Sequence, residues 1–359
     1  MKVIFYLVVF NILLTFSCKK SNEISFVDKE IEREVSPYVT SGQITGIAIG
    51  ILNNGTEKYY FYGTKNRTTG ASIDENTIFE IGSITKIFTA LLFADYVVKQ
   101  QISLYDSINR YFPVNISVPN YNGLQIKFIH LLNHTSGLPS QPDNLPLLQP
   151  VAGFGETELK NYFNEITLNE EPGHSFKYSN LGMGLAGYLL ARTFGSNYDT
   201  LLKTKIFLPL NMTHTVCNAR DISGNNIVQG YYGTTPADFY IFSDIFAPSA
   251  TIKSNLHDMM IFLKENIYCD NPELYNAIKL TQNKSFKVND HFFLGLGWHI
   301  LVDEHGDEIY WHNGGTRGCS SFIAFNNTTK EGVVVLINSY CTGTQDRIGI
   351  EIMNIIREN

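Results

Sequence analysis

Ser83 and Lys86 stand three residues apart in Ser83-Ile84-Thr85-Lys86, at the head of an apolar run that reads as a helix. At that spacing both side chains leave the same helix face one turn apart, which places an amine beside a hydroxyl. A serine hydroxyl becomes an effective nucleophile when a neighbour takes its proton, and a lysine can do so only while uncharged. Burial in an apolar helix disfavours the ammonium form, and the positive end of the helix dipole acts in the same direction. That end also favours an oxyanion forming next to Ser83. The pattern alone is weak, since Ser17-Cys18-Lys19-Lys20 matches it too and a serine at a helix start is also an ordinary cap.

Two other segments carry compatible chemistry. Tyr178-Ser179-Asn180 lies where a loop meets the helical run Leu181 to Thr193. A phenol near a lysine can serve as a phenolate or relay a proton, and the Asn180 carboxamide can donate to a substrate carbonyl and fix the lysine. Tyr162-Phe163-Asn164 repeats the spacing by chance inside a helix, and a packed tyrosine with a capping Asn is the plain alternative. Later, Trp311-His312-Asn313-Gly314-Gly315-Thr316-Arg317-Gly318 falls between two strands. Its glycines allow a strand edge to approach a ligand, its backbone N–H groups can donate to an acyl oxygen, and His312 would place a polar or cationic group beside the substrate. The alternative is a turn with a solvent-facing histidine.

His134, in Asn133-His134-Thr135-Ser136-Gly137, reads as a loop histidine that bonds backbone groups, not as part of a Ser-His triad. No Gly-x-Ser-x-Gly elbow occurs, no His and acid cluster has metal-ligand spacing, and nothing calls for a cofactor.

These residues need a scaffold. Ile44 to Leu52 and Tyr59 to Tyr62 read as strands joined by the turn signal Asn53-Asn54-Gly55. The run from Ser83 is apolar on most faces and belongs at the centre of a domain. Helical patterns follow at Phe128 to Asn133, Thr157 to Asn164, Leu181 to Thr193 and Leu256 to Asn266. Strands return at Gly297 to Val302, Glu308 to His312, Ser320 to Asn326 and Gly332 to Asn338, before an amphipathic helix from about Gln345 to Arg357. The expected class is α/β of the α+β type. An antiparallel sheet combines N- and C-terminal strands, helices flank it, and a mostly helical region is inserted between them.

The 359 residues, 44% of them hydrophobic, can bury a substantial core, and a net charge of −7 leaves no footprint for nucleic acid. After Lys2, the run Val3 to Phe16 is too short to span a bilayer but suits a signal segment, and no later segment approaches a span. Residues 1–17 are therefore expected to be a signal peptide, 18–37 a flexible tether and 38–359 a single domain. Leu14-Thr15-Phe16-Ser17-Cys18 resembles a bacterial lipobox, which implies a lipid on Cys18 that would hold an exported protein on a membrane surface; an ordinary signal peptide is the alternative. Of the four remaining cysteines, Cys319 and Cys341 bracket a predicted hairpin and form the expected disulfide, with buried free thiols at Cys217, Cys269, Cys319 and Cys341 the alternative.

Taken in order, Ser-x-x-Lys, Tyr-x-Asn and His-x-Gly resemble the serine β-lactamase and penicillin-binding peptidase superfamily. The branch is that of class C β-lactamases, D,D-carboxypeptidases, D-aminopeptidases and related esterases. Leu131-Leu132-Asn133-His134-Thr135-Ser136-Gly137-Leu138-Pro139 and Leu294-Gly295-Leu296-Gly297-Trp298 strengthen the likeness, which runs from about Gly46 to Asn338. It implies Ser83 as the acylated nucleophile and Lys86 with Tyr178 as the proton-handling pair. Asn180, His312, Asn313, Gly314 and Gly315 would lie on the substrate side, with the N–H groups of Ser83 and Gly315 forming an oxyanion hole. Class C enzymes carry Lys-Thr-Gly where this chain has His312-Asn313-Gly314, which argues against a dedicated β-lactamase. Relatives also usually have Gly-Gly where Ser249-Ala250 stands. The implied substrate is a small acyl compound or a D-amino-acid peptide, with the cell wall as an implied source. A promiscuous esterase, a weak β-lactamase or a penicillin sensor without turnover are the alternatives.

Overall fold

The Asn54-Gly55 turn has φ of 48° and 80°, the left-handed pair that a two-residue hairpin requires and that Asn and Gly tolerate best. It joins β1 (Gly46–Asn53) to β2 (Thr56–Gly63). On its other edge β1 pairs antiparallel with the strand Glu331–Ile337, Ile49 opposite Val335, so the first and last strands meet in one sheet as expected. Beyond Glu331–Ile337 come Ser320–Asn326, Glu308–Gly315, His299–Val302, Phe292–Leu294 and Phe286–Lys287, completing eight antiparallel strands. The computed structural model describes residues 25–146, 151–222, 224 and 226–358; the expected signal peptide and Cys18 lie outside them.

Alternation along β1 sorts its side chains onto two faces. Ile47, Ile49 and Ile51 join one apolar cluster with Ile31, Val35, Ile348 and Ile352, while Ala48 and Leu52 enter a larger one on the opposite face. The first cluster lies beneath α1 (Phe26–Thr40) and the last helix, Thr344–Arg357. Residues 26–37, expected as tether, are therefore helical. Ser25 caps α1 in a reciprocal box with Asp28, and the apolar pair Ile31 and Val35, one turn apart, supplies the buried face. This signal was short and lay within a polar stretch.

On the opposite face the inserted helical region packs around α2 (Thr85–Val98), in which every residue from Thr85 to Tyr96 is buried. Phe88 stacks on Phe262 at 4.0 Å. The helix Tyr275–Gln282 and the strands Phe286–Lys287 and Phe292–Leu294 were not evident in the sequence, being too short for a clear period. Among the described residues no helix is long and apolar enough to cross a membrane.

The expected Cys319–Cys341 disulfide is absent, and Cys217, Cys269, Cys319 and Cys341 are buried free thiols. Cys319 belongs to the cluster around α2 and Cys341 to the cluster beneath α1, so they serve opposite faces of the sheet.

The docking of α1 is testable. Ile31 is wholly buried, so Ile31→Ala should cost about 2–4 kcal/mol in urea unfolding, with labelling of Ser83 by a fluorophosphonate unchanged. A loss below about 0.5 kcal/mol, the level of an ordinary surface substitution, would mean that α1 does not pack on the sheet.

Candidate active site

Ser83 is placed by a sharp change of backbone. The short strand β3 (Phe79–Glu80) ends, Gly82 takes φ 50°, and a 3₁₀ turn over Gly82–Ile84 leads into α2. A Cβ on Gly82 would sit 2.6 Å from the backbone nitrogen of Gly315, so glycine is needed both for the conformation and for the contact. The same contact brings together the two backbone segments whose N–H groups the family resemblance assigns to an oxyanion hole.

Lys86 Nζ lies 2.7 Å from Ser83 Oγ and 2.8 Å from the carbonyl oxygen of Ser249. The lysine is fully buried, and among the described residues no carboxylate pairs with it. Burial alone holds its pKa well below the usual lysine value. Ser249 and Ala250 stand in the short helix Ala247–Ala250, so this departure from Gly-Gly still presents a carbonyl to the amine.

Tyr178 hydrogen-bonds to the Ser83 hydroxyl, and Lys86 Nζ is 4.9 Å from the centre of its ring. Desolvation raises the phenol pKa, opposed by the bond to Ser83. These directions favour a neutral amine beside a protonated phenol, an arrangement in which a phenol can relay a proton. His134 holds this segment as a structural residue, as expected. Its Nδ1 accepts the Ser179 N–H at 3.1 Å, its carbonyl accepts the Lys177 N–H at 2.8 Å, and its ring centre lies 4.5 Å from that of Tyr178. Ser179 caps the helix that Asn180 begins, and Asn180 Nδ2 donates to Ser140 Oγ at 3.1 Å.

The third segment differs from the sequence expectation. His312 is fully buried behind Tyr178, not on the pocket wall: its ring stacks on His299 at 5.0 Å, and its Nδ1 lies 2.5 Å from the Asn313 carbonyl oxygen. Burial, with His299 and Lys86 nearby, lowers its pKa well below the usual value, so it is neutral and supplies no cation. Asn313 faces the other side of the sheet, where Nδ2 lies 2.9 Å from both Asp346 carboxylate oxygens on the last helix. Gly314 is a packing residue, since a Cβ there would fall 2.0 Å from the Ile81 carbonyl oxygen. Of these four positions only Gly315 lines the pocket. Strand alternation turns Asn313 to the face opposite His312 and Gly314, and Gly315, at the strand's end, meets the pocket without a side chain.

Ser83, Asn180 and Gly315 open onto a cavity of about 400 Å³. Its wall includes Tyr232, Tyr240, Phe242, Phe246 and Tyr340, with Arg317 as its cationic member. The Arg317 guanidinium lies 5.4 Å from the Tyr240 ring centre. Arg317 had a sequence signal, standing two residues beyond Gly315 on the same motif. The aromatic wall had none, because no periodic pattern marks the stretch that carries Tyr232, Tyr240, Phe242 and Phe246 or links it to Tyr340. Among the described residues, no group of three or more His, Cys, Asp or Glu side chains is arranged to hold a metal ion.

Comparison with known proteins agrees with this geometry. The Beta-lactamase family model matches residues 31–351. A β-lactamase of Escherichia coli K12 is 25% identical over 360 residues, covering 91% of this chain and 93% of that protein. A β-lactamase of Lysobacter lactamgenus is 27% identical, covering 88% and 87%. Protein flp of Staphylococcus aureus N315 is 27% identical, covering 91% of this chain and 66% of its own. The ordered motifs, the shared sheet and a family match across most of its length make the same point: this chain belongs to the β-lactamase family of serine hydrolases, enzymes acting on amide or ester bonds.

Proposed function

We propose that the protein is a carboxypeptidase of the D-Ala-D-Ala type, working through an acyl-enzyme on Ser83. The observation that carries the reading is the 2.7 Å approach of Ser83 Oγ to a buried lysine amine without a counter-ion. Ser83 Oγ attacks the carbonyl carbon while its proton passes to the Lys86–Tyr178 pair. Charge collects on the former carbonyl oxygen, opposite the N–H groups of Ser83 and Gly315. The pair then returns the proton to the leaving amine, the C–N bond breaks, and an ester to Ser83 remains. Water, deprotonated by the same pair, attacks that ester and releases the acid.

A peptide ending in a carboxylate needs a cation at the pocket. With His312 neutral, Arg317 is the side chain available to it, and a guanidinium can grip a carboxylate bidentately. β-Lactam hydrolysis is the second reading, favoured by the names of the relatives from Escherichia coli and Lysobacter. A penicillin also carries a carboxylate next to its reactive amide, so Arg317 serves either substrate. The proposal includes export and a lipid anchor at Cys18, supported by the apolar run before that residue.

Mass spectrometry after fluorophosphonate or penicillin treatment should place one adduct on Ser83 and none on Ser83→Ala; an adduct persisting in the variant would refute the nucleophile. Turnover of a D-Ala-D-Ala peptide, a p-nitrophenyl ester and a chromogenic cephalosporin separates peptidase, esterase and β-lactamase, and adduct without turnover of any would point to a sensor.

Arg317→Ala should raise KM for a carboxylate-bearing peptide about tenfold, the value of one charge-assisted contact. The same peptide capped as an amide should be unaffected, and equal effects on both would exclude carboxylate recognition.

Lys86→Met should lower kcat about a hundredfold or more yet raise Tm at pH 7. The unfolded chain protonates Lys86 below its ordinary pKa of 10.5 whereas the folded chain resists it, so the wild type gains stability from this group as pH rises. The Tm advantage of the variant should therefore shrink between pH 7 and pH 10. An advantage that is constant or grows would mean that Lys86 is charged in the folded protein.

A further inference from the structure

Glu80 is a nearly fully buried carboxylate on β3, three residues before the nucleophile, and the acyl-transfer chemistry above does not use it. Its surroundings are specific. The Tyr240 backbone N–H donates to Glu80 Oε1 at 2.9 Å, and the Thr316 hydroxyl bonds to the same carboxylate. Across the β3 pairing stands Lys253, also buried, whose Nζ donates to the carbonyls of Thr251 at 2.8 Å and Cys217 at 3.2 Å. The carboxylate thus meets three chain segments at one point.

Two of those segments form the substrate side of the pocket. Tyr240 and Thr316 both line the cavity, and Arg317, next to Thr316, lies over the Tyr240 ring. Neither segment is tied to the other by a strand ladder. The run from Asp238 to Asp244 is irregular, and besides the Glu80 contact its Ser243 N–H reaches across to the Val151 carbonyl at 3.1 Å. A buried carboxylate is costly unless its lone pairs are filled, and here they are filled by the groups whose positions shape the rim.

We propose that Glu80 is a positioning residue for substrate binding: its carboxylate clamps the Tyr240 segment and the Thr316–Arg317 turn to the strand that leads into Ser83. It sets where the aromatic wall and the guanidinium stand relative to the nucleophile, and it does not touch substrate or the reacting atoms. Lys253 compensates its charge from the far side. The inference rests on the serine acyl-hydrolase reading of this pocket.

Two probes separate the clamp from the chemistry. A small alkyl fluorophosphonate needs only Ser83 and its proton acceptor, whereas one bearing a bulky aromatic group must also fit against Tyr240. For Glu80→Ala, the half-saturating concentration of the bulky probe should rise about tenfold, as expected for loss of a charge-assisted contact network, with its limiting rate changed less than threefold. The small probe should label at the wild-type rate. Glu80→Gln keeps an oxygen for the Tyr240 N–H and should recover most of the loss. Glu80→Ala combined with Lys253→Met removes the unpaired buried amine and carries the test if the single variant does not fold. Equal losses for both probes, no loss for either, or no recovery with glutamine would overturn the proposal. Failure of the small probe to label the wild-type protein would instead refute the nucleophile assignment.

Discussion

A lysine amine sealed in the protein without a carboxylate partner is the constraint on which the site depends. Lys86 is fully buried, and its nearest polar atoms are the Ser83 hydroxyl and a backbone carbonyl. A carboxylate in that shell would hold the proton on the amine and disable it in the proposed Lys86–Tyr178 pair. The architecture therefore keeps charge away. α2 is buried through three turns, the three nearby histidines are held neutral by burial, and Glu80, on the strand before Ser83, is bonded to Tyr240 and Thr316 with Lys253 across the strand pair. Stability is spent on desolvation so that the neutral form of the amine is favoured.

Burying the lysine requires the proposed nucleophile to reach the surface within one turn of it, and backbone packing arranges this. Gly82 and Gly314 each occupy places where a side chain would collide with the opposite backbone, and Ser321 Oγ donates to the Ile81 carbonyl at 2.8 Å. The start of α2 is thereby fixed to the strand Glu308–Gly315, so the two proposed oxyanion donors move as one unit. The sheet that provides this strand is built from both ends of the chain, which makes the site a product of long-range pairing although Ser83 and Lys86 are local neighbours.

That division explains what could be read from the sequence. Ser83, Lys86 and Tyr178 could be singled out because residue type and the order of their motifs point to shared chemistry, and the strands Ser320–Asn326 and Glu331–Ile337 because their apolar runs are continuous. The roles of His312, Asn313 and Gly314 were misread as a group, since a motif written as consecutive letters hides the alternation of a strand. The signal for Asn313 lay outside the motif, in Asp346 on the last helix. The pocket wall was illegible for another reason: Tyr232 and Tyr240 come from one stretch and Tyr340 from a loop a hundred residues on, and only the fold brings them together. α1 was hidden in a polar stretch whose two apolar residues matter only because the sheet offers them a face.

The exchange of lysine for histidine in the third motif has a structural consequence beyond the loss of a charge. An extended lysine side chain from a strand can place its ammonium at the substrate, but an imidazole at the same position ends sooner, and here it packs against His299 inside the protein. The anion-recognising charge then has to come from elsewhere on the rim. Arg317 offers it from an exposed position two residues past Gly315, over an aromatic ring that orients the guanidinium. Under the proposed function, that gives the Tyr240 segment, and the buried carboxylate that holds it, control over where the carboxylate of a substrate is gripped.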